Sequence, residues 1–307
     1  MRLVTYEHGG RGSFGVLVAT AGGDAVIDAA GLVAGCHSIL DVLAADGLSA
    51  LREASADRTP DLALAEVTLL PVVPNPGKIL CVGVNYRSHL EEAGRAEQGK
   101  PTVFLRFADS QLGAGQDVQI AREVSKFDYE GEVAVVVGRA GRRIPADRAA
   151  EHIAGYACYN DFSARDWQRH SGQWTPGKNF PGSGAFGPWL LTADEVADPK
   201  ALVLQTLVNG DVRQHASLAD LIFSIPELIA YLSTFTALAP GDVIVTGTPG
   251  GVGLFRDPPS FLNPGDVVEV RVDGMGSLVN AMVAERGDDG KLVPRARDPD
   301  APARRAG

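Results

Sequence analysis

The chain has 307 residues, 45% of them hydrophobic, which is enough for one globular domain with an ordinary core and at most one small companion domain. Its formal net charge is -10 and no run of Lys or Arg exceeds a pair, so neither nucleic acid nor an anionic membrane is expected as a partner. The three cysteines, Cys36, Cys81 and Cys158, lie far apart without metal-ligand spacing, which argues against a disulfide framework, a zinc ribbon or an iron–sulfur cluster.

Residues 1–70 alternate short apolar runs (Phe14 to Val18, Ala25 to Ile27) with glycine pairs, then a helical stretch from Ser38 to Glu53, the pattern of a small α+β unit. The segment Pro71–Gly77 has three prolines, each lacking an N–H and fixing its own φ, and it is the expected linker. Strands are then predicted at Lys78–Gly83, Val103–Phe107, Glu130–Val137, Gly155–Tyr159, Leu202–Val208, Asp242–Thr246 and Val267–Val272. One helix is well signalled after Ser224, with Pro226 in its first turn and Glu227 completing a capping box. The expectation is an α+β, predominantly β fold: a small N-terminal domain over 1–70, a main domain over 78–286 and a disordered tail over 287–307, rich in Pro, Arg, Asp and Ala. The charged start Met1–His8 offers no signal peptide, and no run reaches the ~18 apolar residues of a membrane span, so a soluble, cytoplasmic protein is expected.

Tyr129-Glu130-Gly131-Glu132 opens an apolar strand, and residues two apart on a strand share a face. Two carboxylates side by side at a buried sheet either push one proton affinity up or hold a cation between them; hard oxygen donors suit Mg²⁺, Mn²⁺ or Ca²⁺. An outward-facing pair of solvated glutamates is the ordinary alternative. Asp161, at the end of the strand candidate Gly155–Tyr159, supplies a third acid, and three carboxylates with open positions suit Mg²⁺. Arg165 and Asp166 read as a plain ion pair.

Ser88 is placed to cap a short helix on which His89 and Glu92, three apart, share a face, so the acid can orient the imidazole as a base. An incidental surface pair is the alternative. In the Gly/Pro-rich loop that follows Gln173, Lys178 could hold an oxyanion or simply be solvated. The glycine-rich stretch Gly247–Gly253 lacks the lysine and following helix of a phosphate loop and reads as a tight turn lining a pocket.

Taken in order, these motifs resemble the fumarylacetoacetate hydrolase superfamily over about residues 74–285: Asn85-Tyr86 with His89 and Glu92, Pro101–Arg106, Tyr129–Glu132, Asn160-Asp161 with Ser163–Asp166 and Gln168, the loop ending at Lys178, and Gly247–Pro249 with Gly251–Gly253. The resemblance implies Glu130, Glu132 and Asp161 as ligands of Mg²⁺ or Mn²⁺, a His89–Glu92 dyad on a helix that orders with substrate, and Lys178 near the metal and oxyanion. It implies Arg106, Arg165, Gln168 and Thr248 as substrate contacts, a mixed β-sheet roll, and a homodimer. Arg106 stands where a number of relatives have lysine, and Ser88 where several have an acid, which argues against a fourth carboxylate ligand. The expected activity is metal-dependent C–C hydrolysis of an acylpyruvate-type acid from aromatic-ring cleavage. Alternatives are decarboxylation of oxaloacetate-like acids, isomerisation or hydration of unsaturated 2-oxo acids, and a non-catalytic binding protein.

Overall fold

Every residue of the strand Gly131–Val137 is buried, as an unbroken apolar run demands when a strand is covered on both faces. In the computed structural model, which describes residues 1–287, this strand lies inside a twelve-stranded mixed sheet. The order across it is Leu62–Ala63, Gly23–Asp28, Arg11–Thr20, Arg2–His8, Gly184–Thr192, Ile153–Asp161, Gly131–Val137, Val243–Val245, Ile79–Gly83 and Thr102–Arg106. Neighbours on this path are antiparallel except Val243–Val245 against Ile79–Gly83, which run parallel. A five-stranded sheet, Asp211–Ser217, Val203–Val208, Val267–Val272, Gly276–Ala284 and Val118–Ile120, packs on one face. The fold is thus α+β and predominantly β, as the motifs implied. The tail expected over 287–307 lies outside the described residues, Gly287 apart. Among the described residues no helix is long and apolar enough to cross a membrane.

The period of two sorts the central strand between two cores. Val133, Val135 and Val137 face the five-stranded sheet with Leu204, Val270 and Leu278, while Ala134 and Val136 face Ile39, Val42 and Leu51 of the N-terminal helices. Each such valine or leucine removed from water contributes about 1.5–3 kcal/mol. Between the two glutamates, Gly131 sets how close the sheets come: a Cβ there would lie 1.9 Å from Thr206 Oγ1. Glycine at this position therefore lets a second sheet close over the two glutamates' strand.

Residues 1–70 extend the large sheet, because Arg2 and Leu3 pair with Leu191 and Leu190. The expected single helix from Ser38 is two, Ile39–Ala44 and Leu48–Ser55. The chain breaks at Asp46, whose φ is 52°, and Gly47, an Asp-Gly turn overriding the helical pattern. The Ser224 signal holds: Glu227 accepts from the Ser224 N–H at 2.8 Å at the start of Ile225–Phe235.

Candidate active site

Antiparallel pairing of Gly131–Val137 with Ile153–Asp161 sets Gly131 opposite Asn160, so the start of one strand meets the end of the other. Asp161 N–H donates to the Glu130 carbonyl at 2.9 Å, and Asn160 Oδ1 accepts from Glu130 N–H at 3.0 Å. This strand-end alignment brings Glu130, Glu132 and Asp161 together: all three are buried, and one carboxylate oxygen from each lies within 4.8 Å of the others.

Cations close around this cluster. Lys178 Nζ, at the end of the turn Thr175–Lys178, sits 2.6 Å from both Glu130 Oε2 and Asp161 Oδ2. Arg165 reaches Glu130 Oε1 at 2.6 Å and, through Nε, Asp128 Oδ2 at 2.8 Å. Arg106 pairs with Asp161 and donates to Ser183 Oγ at 2.6 Å. Four buried carboxylates, Asp128, Glu130, Glu132 and Asp161, thus face three cations. Among the described residues Glu132 has no cationic partner; its bond is to the Gly247 N–H. Burial raises its proton affinity well above the usual carboxylate range, and the charges on Asp161 and Glu130 raise it further. Burial also acts to raise Glu130, but Lys178 and then Arg165 more than offset it and hold that carboxyl low. Burial disfavours the Lys178 ammonium, yet Asp161 and Glu130 outweigh it and keep it charged. The cluster lacks one positive charge, and its donors are hard oxygens, so the residues fit a divalent ion of the Mg²⁺ or Mn²⁺ type.

The dyad follows from a strand-to-helix corner. Strand Ile79–Gly83 passes through Val84, a β-branched residue at φ 55°, into helix Arg87–Glu92. Such a conformation costs about 1–3 kcal/mol and persists only where surroundings fix it. Buried Asn85 does so: its Nδ2 donates to the carbonyls of Thr246 at 2.8 Å and Phe223 at 3.0 Å, and its Oδ1 accepts from Phe223 N–H at 2.8 Å. His89 Nδ1 then lies 2.6 Å from Glu92 Oε1. Ser88 is not the cap expected of it. Tyr86 holds that position without a side-chain bond, and Ser88 Oγ instead accepts from Gly250 N–H at 3.0 Å.

The glycine-rich loop explains why no phosphate is needed there. Its N–H groups go to this chain's own carboxylates: Gly247 to Glu132, Gly251 to Glu92 at 2.7 Å, and Gly253 to Asp128 at 2.8 Å. Gly247 and Gly251 have φ of 108° and 106°, where glycine alone is unstrained. The loop therefore clasps the acid cluster and the dyad at once. Asp128, which the sequence reading passed over, also accepts from Leu254 N–H at 2.9 Å and anchors Arg165. The alternation of Asp128, Glu130 and Glu132 at every second position was the signal for it.

A chamber of about 80 Å³ opens beside the cluster, with His89, Glu130, Glu132, Arg165, Lys178 and Thr248 on its polar wall. Gln168 also lines it, accepting from Arg165 at 3.1 Å. Two expectations need correcting. Arg106 does not line the chamber; it is buried and bonded to Asp161 and Ser183. Arg165 does not pair with Asp166, because Asp128 and Glu130 offer it buried partners; Asp166 accepts instead from Ser125 N–H and Oγ at 2.7 and 2.8 Å.

A buried acid triad beside an orienting carboxylate and imidazole defines an enzyme site suited to oxygen-rich anionic substrates. The sequence profile described as "Fumarylacetoacetate (FAA) hydrolase C-terminal" matches residues 78–283. The chain belongs to the fumarylacetoacetate hydrolase superfamily and is an enzyme of that group. It is 42% identical over 238 residues to the mitochondrial oxaloacetate tautomerase FAHD2A of Bos taurus, covering 77% of this chain and 76% of that one. A putative HpcE protein from Mycobacterium smegmatis superposes with a TM-score of 0.82 at 35% identity, over 92% of this chain and 99% of that one. Maleylpyruvate hydrolase from Sphingobium sp. SYK-6, in complex with manganese(II) and pyruvate, superposes at 0.77 with 29% identity, over 93% and 100%.

Proposed function

We propose that this enzyme interconverts the keto and enol forms of a small 2-oxo dicarboxylic acid of the oxaloacetate type, with Mg²⁺ or Mn²⁺ held by Glu130, Glu132 and Asp161. The observation that carries the reading is His89, held by Glu92 at 2.6 Å, on the wall of a chamber of about 80 Å³ that Glu130 and Glu132 also line. Glu92 accepts a hydrogen bond from Nδ1–H, which fixes the tautomer and leaves Nε2 to take a proton from C3. As that C–H bond breaks, its electron pair becomes the C2–C3 double bond and the carbonyl pair moves to the 2-oxygen, which takes a proton from solvent while the His89 imidazolium gives its proton up to solvent; the reverse path restores the ketone. The divalent ion, when bound, supplies Lewis acidity toward the 2-oxo acid end. Lys178 adds a buried positive charge on the same side, favouring negative charge on that oxygen. Phe104, Trp174 and Phe255 complete the wall and limit water at the exchanging carbon. The name of the bovine relative supports this chemistry. The test is the decay of freshly dissolved enol-oxaloacetate with Mn²⁺ and protein, against a chelator control. An unchanged decay rate defeats the reading.

A second reading is favoured by a wider groove of about 510 Å³ that shares Arg95, Phe104, Gln168, Arg169 and Trp174 with the chamber. It leaves room for a longer acyl chain, and the same dyad could activate water for C–C hydrolysis of an acylpyruvate. The manganese-bound hydrolase relative supports this alternative, and pyruvate release from acylpyruvates tests it.

A further inference from the structure

We infer that Arg95 and Arg169 form a clamp for the distal carboxylate of the substrate, selecting dicarboxylic 2-oxo acids over those with an uncharged far end. The inference rests on the reading of the chamber as a 2-oxo acid site. Both arginines line the chamber and the groove beyond it, and among the described residues neither has a carboxylate partner within ion-pair distance. Every other cation of the chamber is committed: Arg165 and Lys178 to Glu130, and Lys178 also to Asp161. Two uncommitted guanidiniums thus stand at the mouth, and the reacting centre at the floor.

Their placement is built rather than incidental. The helix that carries His89 ends in a left-handed glycine, Gly94 at φ 60°, whose N–H donates to the Glu91 carbonyl at 3.0 Å while Arg95 N–H donates to Leu90 at 3.2 Å. This paired closure of a helix end fixes the backbone of Arg95 relative to the dyad. Its guanidinium lies over the Trp174 ring, 5.5 Å from the centroid, a stacking that presents the planar fork while holding it. Trp174 is held in turn. Phe104 meets it edge-on at 5.4 Å, and Gly83 leaves the slot for it, since a Cβ there would fall 2.2 Å from the ring. Arg169 caps the turn Arg165–Gln168, four residues after Arg165, so one arginine of that turn reaches the acid cluster and the other stays at the opening. A carboxylate accepts two guanidinium forks well, because each offers parallel N–H donors. The chamber, at about 80 Å³, favours a short acid.

The test uses the Mn²⁺-loaded protein and two non-reacting ligands by calorimetry: 3,3-difluorooxaloacetate, a diacid without a C3 hydrogen, and oxalate, which mimics only the metal-binding end. In Arg95→Gln and in Arg169→Gln, the Kd for the diacid is expected to rise about tenfold or more, with oxalate changed less than twofold; Arg95→Lys should recover part of the loss. Equal weakening of both ligands, or no weakening of the diacid in either variant, overturns the clamp. Both arginines are solvent-exposed, so the variants should fold, and a thermal melt checks this. If the diacid binds with this arginine dependence but the wild-type protein does not speed enol decay, the clamp stands and the tautomerase reading falls.

Discussion

The backbone N–H of Gly251 donates to Glu92 Oε2 at 2.7 Å, while the other oxygen of that carboxylate meets His89 Nδ1 at 2.6 Å. The glycine-rich loop therefore sets the orientation of the base through a single acid. Gly251 cannot carry a side chain without moving: φ is 106° and a Cβ would lie 2.2 Å from the Arg213 carbonyl oxygen. Gly251→Ala is expected to cost about 1–3 kcal/mol in strain and to lower kcat by roughly tenfold or more through loss of the Glu92 contact. Mn²⁺ affinity, set by other residues, should change little. Denaturant melts, turnover and metal titration on one preparation check all three.

Glu132 makes a prediction with a definite sign. In metal-free protein its proton affinity lies well above the ordinary 4.5, through burial first and then Asp161 and Glu130. A carboxyl raised on folding contributes stability that is fully present below its unfolded value and is lost as pH climbs through its folded value. Metal-free protein should therefore weaken as pH rises above about 4.5, and Glu132→Gln should flatten that slope. Glu130, held low by Lys178 and Arg165, acts in the opposite window, contributing above 4.5 and fading only in stronger acid. At neutral pH, metal-free Glu132→Gln should unfold at higher denaturant than wild type, bind Mn²⁺ at least tenfold more weakly and lose on the order of 10³-fold in turnover. Near-normal metal affinity in this variant would refute the ligand assignment.

His89→Ala separates the base from the ligands. General-base removal costs roughly 10²–10⁴-fold, so C3 deuterium exchange of oxaloacetate should fall by that factor while Mn²⁺ binding stays within about twofold. Glu92→Gln should fall less, because the imidazole remains. A His89→Ala enzyme with wild-type exchange would move the proton transfer to another group.

Metal should act as a folding ligand. A site formed only when the strand ends of Gly131–Val137 and Ile153–Asp161 align cannot exist in the unfolded chain, so an ion at one hundred times its Kd adds about 2.7 kcal/mol. Mn²⁺ should raise Tm by several degrees, a chelator should reverse it, and Glu132→Gln should blunt it. No shift at saturating Mn²⁺ would leave the triad without its ion.

Much of this site was legible because it is written in short-range spacing. The alternation of Glu130 and Glu132 and the three-residue step from His89 to Glu92 each fix a shared face before any tertiary contact forms. What escaped was set by partners distant in sequence. Strand Gly184–Thr192, absent from the expected strands, carries Gly187 and Pro188 and still lies centrally, with the register opposite slipping between Tyr156 and Cys158. Ser88 read as a cap because no spacing shows that Gly250 would claim its hydroxyl. The resemblance implied Arg106 as a substrate contact, but a motif carries no depth; only the packing shows its guanidinium paired with Asp161.

Arg106 also gives the sharpest choice between holding a ligand and holding a substrate. It is fully buried, bonded to Asp161 and Ser183, so removing its charge leaves a buried carboxylate without that guanidinium. Breaking a buried pair from one side costs about 3–5 kcal/mol. Arg106→Met should therefore lower stability by that amount and weaken Mn²⁺ binding through a displaced Asp161. Double substitution with Asp161→Asn should recover much of the stability but none of the metal affinity, since the uncompensated charge is gone along with the ligand. Were Arg106 a substrate contact instead, Arg106→Met would raise KM and leave the melt unchanged. The melt and the metal titration of these two variants decide between the roles.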